Sequence, residues 1–306
     1  MTTATPIDVL IVTLCKAERA AAIRRAVATT LAQEGVSARL TMVVNGKRFD
    51  PDLLAWLRQE PGVTVIYQEA PSIFLARRAA REAVTAPYFG FLDDDDYLLP
   101  GGLRARLDAF EADPAADAVV ANGYLWDGTK DVAMLDDLEQ LRRDPLLAIM
   151  ETNWLATAST MFRTASISAE YFDVTIRSND MTYLAFRLAL EKKVAFIPAP
   201  TYRKTYSADS ISLTDEWNVL GLGTLETMLA FPMPAAARRR LLRKCTLMAH
   251  DISDVYRRRG ELGPAWRFHL RSLRDPWGFF HYALYSRHLL RAASVPPPPA
   301  PVPRSQ

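Results

Sequence analysis

The chain has 306 residues, 49% of them hydrophobic and 24% charged, which is an ordinary globular composition with room for one large domain or two. No window approaches the roughly 18 uninterrupted apolar residues that a membrane span needs, and Met1 to Pro6 lacks the basic start of a secretory signal. The net charge of +2 is uneven: from Arg238 onward fourteen Arg and Lys face four Asp and Glu, so the rest of the chain is acidic.

Cys15 and Cys245 are too far apart in sequence to suggest a disulfide framework, and a reducing cytoplasm is the expected location. All four histidines follow residue 249, so chemistry in the first two-thirds must rest on carboxylates.

In chain order, Ile7 to Leu14 reads as a buried strand, Ala17 to Leu31 as a helix and Ala38 to Val44 as a strand ended by Asn45-Gly46. Asp52 to Gln59 reads as a helix and Val63 to Tyr67 as a strand. The helix Ile73 to Val84 carries Arg77, Arg78 and Arg81, of which at least two are expected on a solvated face. Tyr88 to Leu92 is a fourth strand. Strands alternating with helices predict a doubly wound, mostly parallel sheet. No GxGxxG or GxxxxGK[ST] loop follows the first strand, which argues against dinucleotide-binding and P-loop folds.

Four carboxylates, Asp93 to Asp96, follow the fourth strand directly, and a helix starts near Leu103. Adjacent acids repel. A hard divalent cation with oxygen ligands relieves that repulsion and can also hold substrate phosphates. The spacing therefore predicts a metal–diphosphate site at the C-terminal edge of the sheet. A solvated acidic loop capping the next helix is the alternative.

Farther on, Ala118 to Trp126, Ala158 to Phe162 and Val194 to Ile197 read as strands, and Asp131 to Met150 as helical or irregular. Asp180 to Leu190 reads as an amphipathic helix, and Pro198 to Leu213 as a polar loop. Helices are predicted over about 215–230, 234–259, 264–273 and 277–292. Val295 to Gln306 is Pro-rich and expected to be disordered. The division is 1–213, a helical region 214–293, and a tail 294–306.

The order of motifs resembles family 2 glycosyltransferases of the GT-A fold over about residues 7–213. Asp8-Val9-Leu10-Ile11-Val12-Thr13 is similar to the family's opening strand, and Phe74 to Ala80 to its "ARNxG" helix. Tyr88 to Asp96, ending at Pro100, resembles its "yiafLDaDD…P" segment. Ser159 to Arg163, Tyr171 to Asp173, Ser178-Asn179-Asp180 with Arg187, and Tyr202 to Ser212 follow in the family's order.

The resemblance implies a Rossmann-like sheet flanked by helices and an inverting enzyme that uses a nucleotide-diphosphate sugar and Mn²⁺ or Mg²⁺. It puts the cation on Asp93 and Asp95. It puts Asp94 near the ribose or the metal, Arg77 on phosphate, and Asp180 as the base that deprotonates the acceptor hydroxyl. Thr13 and Asn45 would line the nucleotide pocket. Tyr202, Arg203, Lys204 and Tyr206 would form a loop over the site.

Three positions depart from the family pattern: Leu14-Cys15-Lys16 after the first strand, Asn45-Gly46 without the usual Asp, and Asn179 in place of Glu. Ser178-Asn179-Asp180 also reads as an ordinary helix N-terminus. A sugar-nucleotide-binding subunit without turnover, and a metal-dependent nucleotidyl or phosphoryl transferase, stand as the other readings.

The acceptor expected is a glycan or a lipid-linked sugar, in cell-surface polysaccharide or glycolipid synthesis. The C-terminal helices interleave Trp266, Phe268, Trp277, Phe279, Phe280, Tyr282 and Tyr285 with Arg267, Arg271, Arg274, Arg287 and Arg291. That pattern suits an anionic membrane surface, or packing against the rest of the chain. No nucleic-acid-binding module accompanies the charge, so no nucleic acid partner is expected.

Overall fold

In the computed structural model, residues 4–205 and 215–293 are described. The chain divides into two compact units, Met1–Ala208 and Asp209–Gln306. The expected boundary near residue 214, Tyr206, and the Pro-rich tail 294–306 all lie outside the described residues.

The first unit begins with β1 (Pro6–Thr13), α1 (Ala20–Leu31), β2 (Ser37–Asn45), α2 (Pro51–Gln59), β3 (Val63–Gln68), α3 (Ile73–Glu82) and β4 (Tyr88–Asp93). Then come β5 (Tyr97–Leu98), α4 (Gly102–Ala112), β6 (Ala118–Trp126), β7 (Asp131–Ala133), α5 (Leu138–Arg143) and α6 (Pro145–Ile149). β8 (Thr160–Arg163), α7 (Asp180–Glu191) and β9 (Val194–Thr205) complete the unit.

The nine strands form one sheet in the order β3-β2-β1-β4-β8-β6-β9-β5, with β7 paired to β6. β1 to β4 are mutually parallel, and β6 and β9 share their direction. The short strands β5, β7 and β8 run against them. This is the expected mostly parallel α/β sheet flanked by helices. The central parallel strands β1, β2 and β4 are buried along most of their length, as strands covered by helices are. Ile7, Leu10, Ile11, Val43, Val44 and Phe89 are all fully buried.

Two buried charged groups of this unit are fully paired. Asp8, at the start of β1, accepts hydrogen bonds from the Thr85 and Ala86 amides at 2.9 Å each and from Arg39 Nε at 2.9 Å. Arg106 of α4 is fully buried and donates to Thr201 Oγ1 and the Ala158 carbonyl, both at 2.6 Å, while burial lowers its pKa to about 10.

The segment read as a loop from Pro198 is strand as far as Thr205. β9 bulges between Ile197, opposite Ala121, and Pro200, opposite Asn122, and then pairs on through Thr205. The two prolines sit where the ladder is already broken, which is where a sheet tolerates a missing amide donor. Tyr202 then packs flat over Gly123. A β-carbon at Gly123 would lie only 2.3 to 2.6 Å from carbons of the Tyr202 ring, so only glycine fits there without the ring moving.

The second unit is helical, as expected: α8 (Asp215–Met228), α9 (Ala235–Arg258), α10 (Leu262–Ser272), α11 (Pro276–Tyr282) and α12 (Ser286–Ala293). The helix predicted over 277–292 is interrupted by a 3-10 turn at Ala283–Tyr285. Among the described residues, no helix is long and apolar enough to cross a membrane.

Candidate active site

Parallel strands deliver their C-terminal ends to one edge, and in such sheets that edge receives ligands. Here it holds Thr13 at the end of β1, Asn45 at the end of β2 and Asp93 at the end of β4, with Asp94 to Asp96 following.

The four acids are treated differently. Thr13 Oγ1 donates to Asp94 Oδ2 at 2.6 Å and accepts from the Cys15 amide at 2.8 Å. Cys15 takes a left-handed φ of 51°, so the chain turns sharply at the β1 end. Asp94 is buried, and burial raises its pKa more than Thr13 and Arg19 lower it. Asp96 is fully buried and accepts from the Thr205 amide at 3.0 Å. Burial, helped by the neighbouring Asp93 charge, pushes its carboxyl up to about 8. Only Asp93 and Asp95 reach solvent, with side chains 34% and 26% exposed.

Two arginines missed at the sequence level complete this cluster. Arg19 Nη1 bridges Asp94 Oδ1 at 2.6 Å and Asp95 Oδ2 at 3.1 Å. Arg25 Nη2 donates to the Asp95 carbonyl at 2.9 Å, with its guanidinium over the Tyr97 ring at 4.4 Å. The one available signal was position: the helix after the first strand starts at the ligand edge, so basic groups in its first turns are candidates.

Among the described residues, no three His, Cys, Asp or Glu are grouped to hold a metal. Two outward carboxylates nevertheless fit Mg²⁺ or Mn²⁺, since such ions keep waters and take one or two carboxylates together with substrate phosphates. Asp93 and Asp95 are the pair that the chain leaves facing outward.

Ala76, Arg77 and Ala80 form the buried side of α3. Arg77 is ion-paired to Asp180, and its Nη2 lies 3.9 Å from Asp93 Oδ1. Asp180 is the first residue of α7, behind Asn179, whose left-handed φ of 53° makes the bend into the helix. The Arg77–Asp180 pair borders a small cleft with Phe74, Phe172, Ile176 and Leu184. Residues 103 apart in sequence are thus joined beside the acid cluster.

Of the other two α3 arginines, only Arg78 is on a solvated face, paired with Glu82. Arg81 instead donates to the Ile167 and Thr164 carbonyls at 2.7 and 2.8 Å and lies over Phe89. The expectation of two solvated arginines is corrected, because α3 uses Arg81 to pin the segment after β8.

Asn45 is at the expected edge, but its Oδ1 accepts from Gln68 Nε2 at 3.0 Å and from the Ser72 amide at 2.9 Å, tying β2 to the start of α3. The expected loop Tyr202-Arg203-Lys204 is corrected to strand β9. Tyr202 is core, 1% exposed, donating to Met134 Sδ at 3.1 Å. Arg203 is held by Asp131 and donates to Tyr97 Oη at 2.7 Å. Lys204 acts on the acid cluster through its charge near Asp96.

No curated protein matches the chain. Among solved structures, S. aureus TarS 1-349 in complex with UDP-GlcNAc superposes with a TM-score of 0.60 at 13% identity, covering 87% of this chain and 81% of that one. The structure of S. aureus TarS 1-349 without such a complex gives 0.58 at 13%, covering 86% and 81%. The structure titled S. aureus TarS gives 0.62 at 12%, and the match spans 95% of this chain but about half, 53%, of that one. At such identities the likeness is one of fold. The family model described as Glycosyl transferase family 2 matches residues 9–173, more than half of the chain and the stretch that carries Thr13, Asn45, Arg77 and the four acids. The chain therefore belongs to glycosyl transferase family 2.

Proposed function

We propose that the chain transfers a sugar from a nucleoside-diphosphate donor to an acceptor hydroxyl in a single displacement with inversion. The observation that carries this reading is the meeting of two carboxylate groups of different character at one sheet edge: outward Asp93 and Asp95, and Asp180 held by buried Arg77. Family membership supports the transferase class. The TarS complexes with UDP and with UDP-GlcNAc support the donor class by analogy of fold.

Asp93 and Asp95 would hold Mn²⁺ or Mg²⁺ against the donor diphosphate. When bound, the cation supplies Lewis-acid stabilisation of the charge growing on the leaving oxygen. Arg19 and Arg77 bring positive charge to the same edge and favour phosphate. Asp180 accepts the proton of the acceptor hydroxyl as its oxygen bonds to the anomeric carbon and the bond to the diphosphate breaks. Arg77 fixes the direction of that carboxylate. A glycan or a lipid-linked sugar, as used in cell-surface polysaccharide or glycolipid synthesis, is the acceptor class, with the enzyme on the cytoplasmic side.

The test is a donor-hydrolysis and transfer screen over UDP-, GDP- and dTDP-sugars with Mn²⁺ and Mg²⁺. Asp95→Ala is expected to lose metal-dependent nucleotide binding. Asp180→Asn is expected to keep donor binding and to lose transfer by about 10²–10⁴-fold. Full transfer by Asp180→Asn removes it as base. Metal-dependent nucleotide binding without hydrolysis or transfer makes the chain a non-catalytic sugar-nucleotide-binding subunit.

A further inference from the structure

The end of the second unit has an anchored inner side and a bare outer one. On the inner side Gly278 is buried, and a β-carbon there would collide with the Ser272 carbonyl and Thr246 Cγ2, so α11 lies directly on its neighbours. Tyr282 stacks on His250 at 3.7 Å, and Tyr285 Oη donates to Asp254 at 2.8 Å and accepts from Arg257 Nε at 3.1 Å. His269 Nε2 and Ser286 Oγ are hydrogen-bonded at 2.7 Å, and Leu289 is fully buried. Asp275 caps α11 by accepting from the Trp277 amide at 3.0 Å. Fraying does not account for what this segment exposes.

The outer side presents Phe280 at 85%, Leu284 at 68% and Phe279 at 56% exposure. The two rings meet edge to face at 6.4 Å. An aromatic pair with a leucine one turn on, held in water by a well-anchored helix, marks an interaction surface. Arg274, His281, Arg287, His288 and Arg291, all within eleven residues of Phe280 in sequence, are exposed too. From Leu262 to Ala293 the one acid is Asp275, already used as the cap. A second copy of this face would bring arginine against arginine. An anionic bilayer offers both an apolar acyl boundary for the rings and negative phosphates for the guanidiniums.

We propose that the face of α11 and the turn after it, bearing Phe279, Phe280 and Leu284, docks the protein on anionic phospholipid bilayers. The rings and the leucine enter the acyl boundary, while Arg274, Arg287 and Arg291 meet headgroup phosphates. The surface is defined by its own residues and does not depend on the sugar-transfer reading.

The test is co-sedimentation of the full chain with vesicles of phosphatidylcholine alone or mixed with phosphatidylglycerol, across salt concentrations. Binding is expected to the mixed vesicles at low salt, weakened by salt, and to be slight with phosphatidylcholine alone. The Phe279→Ser/Phe280→Ser variant should bind mixed vesicles at least about tenfold more weakly, because most of the inserting area is gone. Arg287→Glu/Arg291→Glu should lose about tenfold or more at low salt and become nearly insensitive to salt. All four changes are at exposed positions, and far-UV circular dichroism checks that each variant is folded. No binding to mixed vesicles at low salt overturns the proposal, as does unchanged binding by the Phe variant. Sedimentation velocity covers the rival occupant: a concentration-dependent dimer that the Phe variant abolishes, without vesicle binding, assigns the face to a second copy instead.

Discussion

The Arg77–Asp180 pair joins α3 to α7, and breaking it tests what holds the site together. Both side chains are largely out of water, 8% and 17% exposed. Removing one partner of such a pair leaves the other charge buried without its counterion, which costs about 3–5 kcal/mol in buried pairs. The residual exposure of Asp180 argues for the lower end, about 3 kcal/mol, for Arg77→Met or for Asp180→Leu alone. Arg77→Met also takes from Asp93 a cation at 3.9 Å. The double variant replaces the pair by apolar groups beside Phe172 and Ile176 and should be far less destabilised than the two single changes together. The coupling expected is about 3 kcal/mol, or roughly a hundredfold in the opening equilibrium. Urea unfolding of the four proteins measures it. Hydrogen exchange in peptides spanning α3 and α7 localises it. Single variants within about 0.5 kcal/mol of wild type, or effects that simply add, would show that the pair does not hold these helices together, and the orienting role given to Arg77 would go with it.

Gly123→Ala should lower the urea midpoint by an amount corresponding to about 3 kcal/mol, since the fully buried Tyr202 ring has to move, and Tyr202→Leu in the same chain should recover part of the loss. Asp96 gives a pH signature. The unfolded carboxyl titrates at about 4, whereas the folded one is pushed up to about 8, so between those values the folded state holds a proton that the unfolded state lacks. Its contribution is therefore full below that window and declines as pH rises through it. Asp96→Asn keeps an acceptor for the Thr205 amide and removes the slope, so the melting-temperature difference from wild type should grow in the variant's favour between pH 5 and pH 9; a constant difference refutes it. Cys15 and Cys245, pushed up to about 11 and about 12 chiefly by burial, should resist iodoacetamide at pH 8 in the folded protein and react at least about a hundredfold faster in urea, read by mass spectrometry.

What the sequence discloses follows from how local each signal is. Strands β1 to β4 and the helices between them are written in short apolar runs and helical spacing, and their ends were readable to within three residues. The run of acids at the end of β4 was legible as a cluster because adjacency in sequence is itself local. Long-range closure was not. Nothing near Tyr202 tells that Gly123 lies beneath its ring, so a run of Tyr, Arg and Lys after two prolines looked like a polar loop. Arg19 reads as one more charge at a helix start until the fold brings Asp94 to it from 75 residues away. Arg81 looks like its solvated neighbour Arg78 until the segment after β8 arrives to accept its hydrogen bonds.

Arg19 has one more implication. Its guanidinium spans Asp94 and Asp95, while the Thr205 amide and a raised proton affinity quiet Asp96. The crowd of negative charge at the end of β4 is thus balanced from within. A cation of the kind proposed for Asp93 and Asp95 would therefore compete with Arg19 for Asp95 instead of relieving an unopposed repulsion.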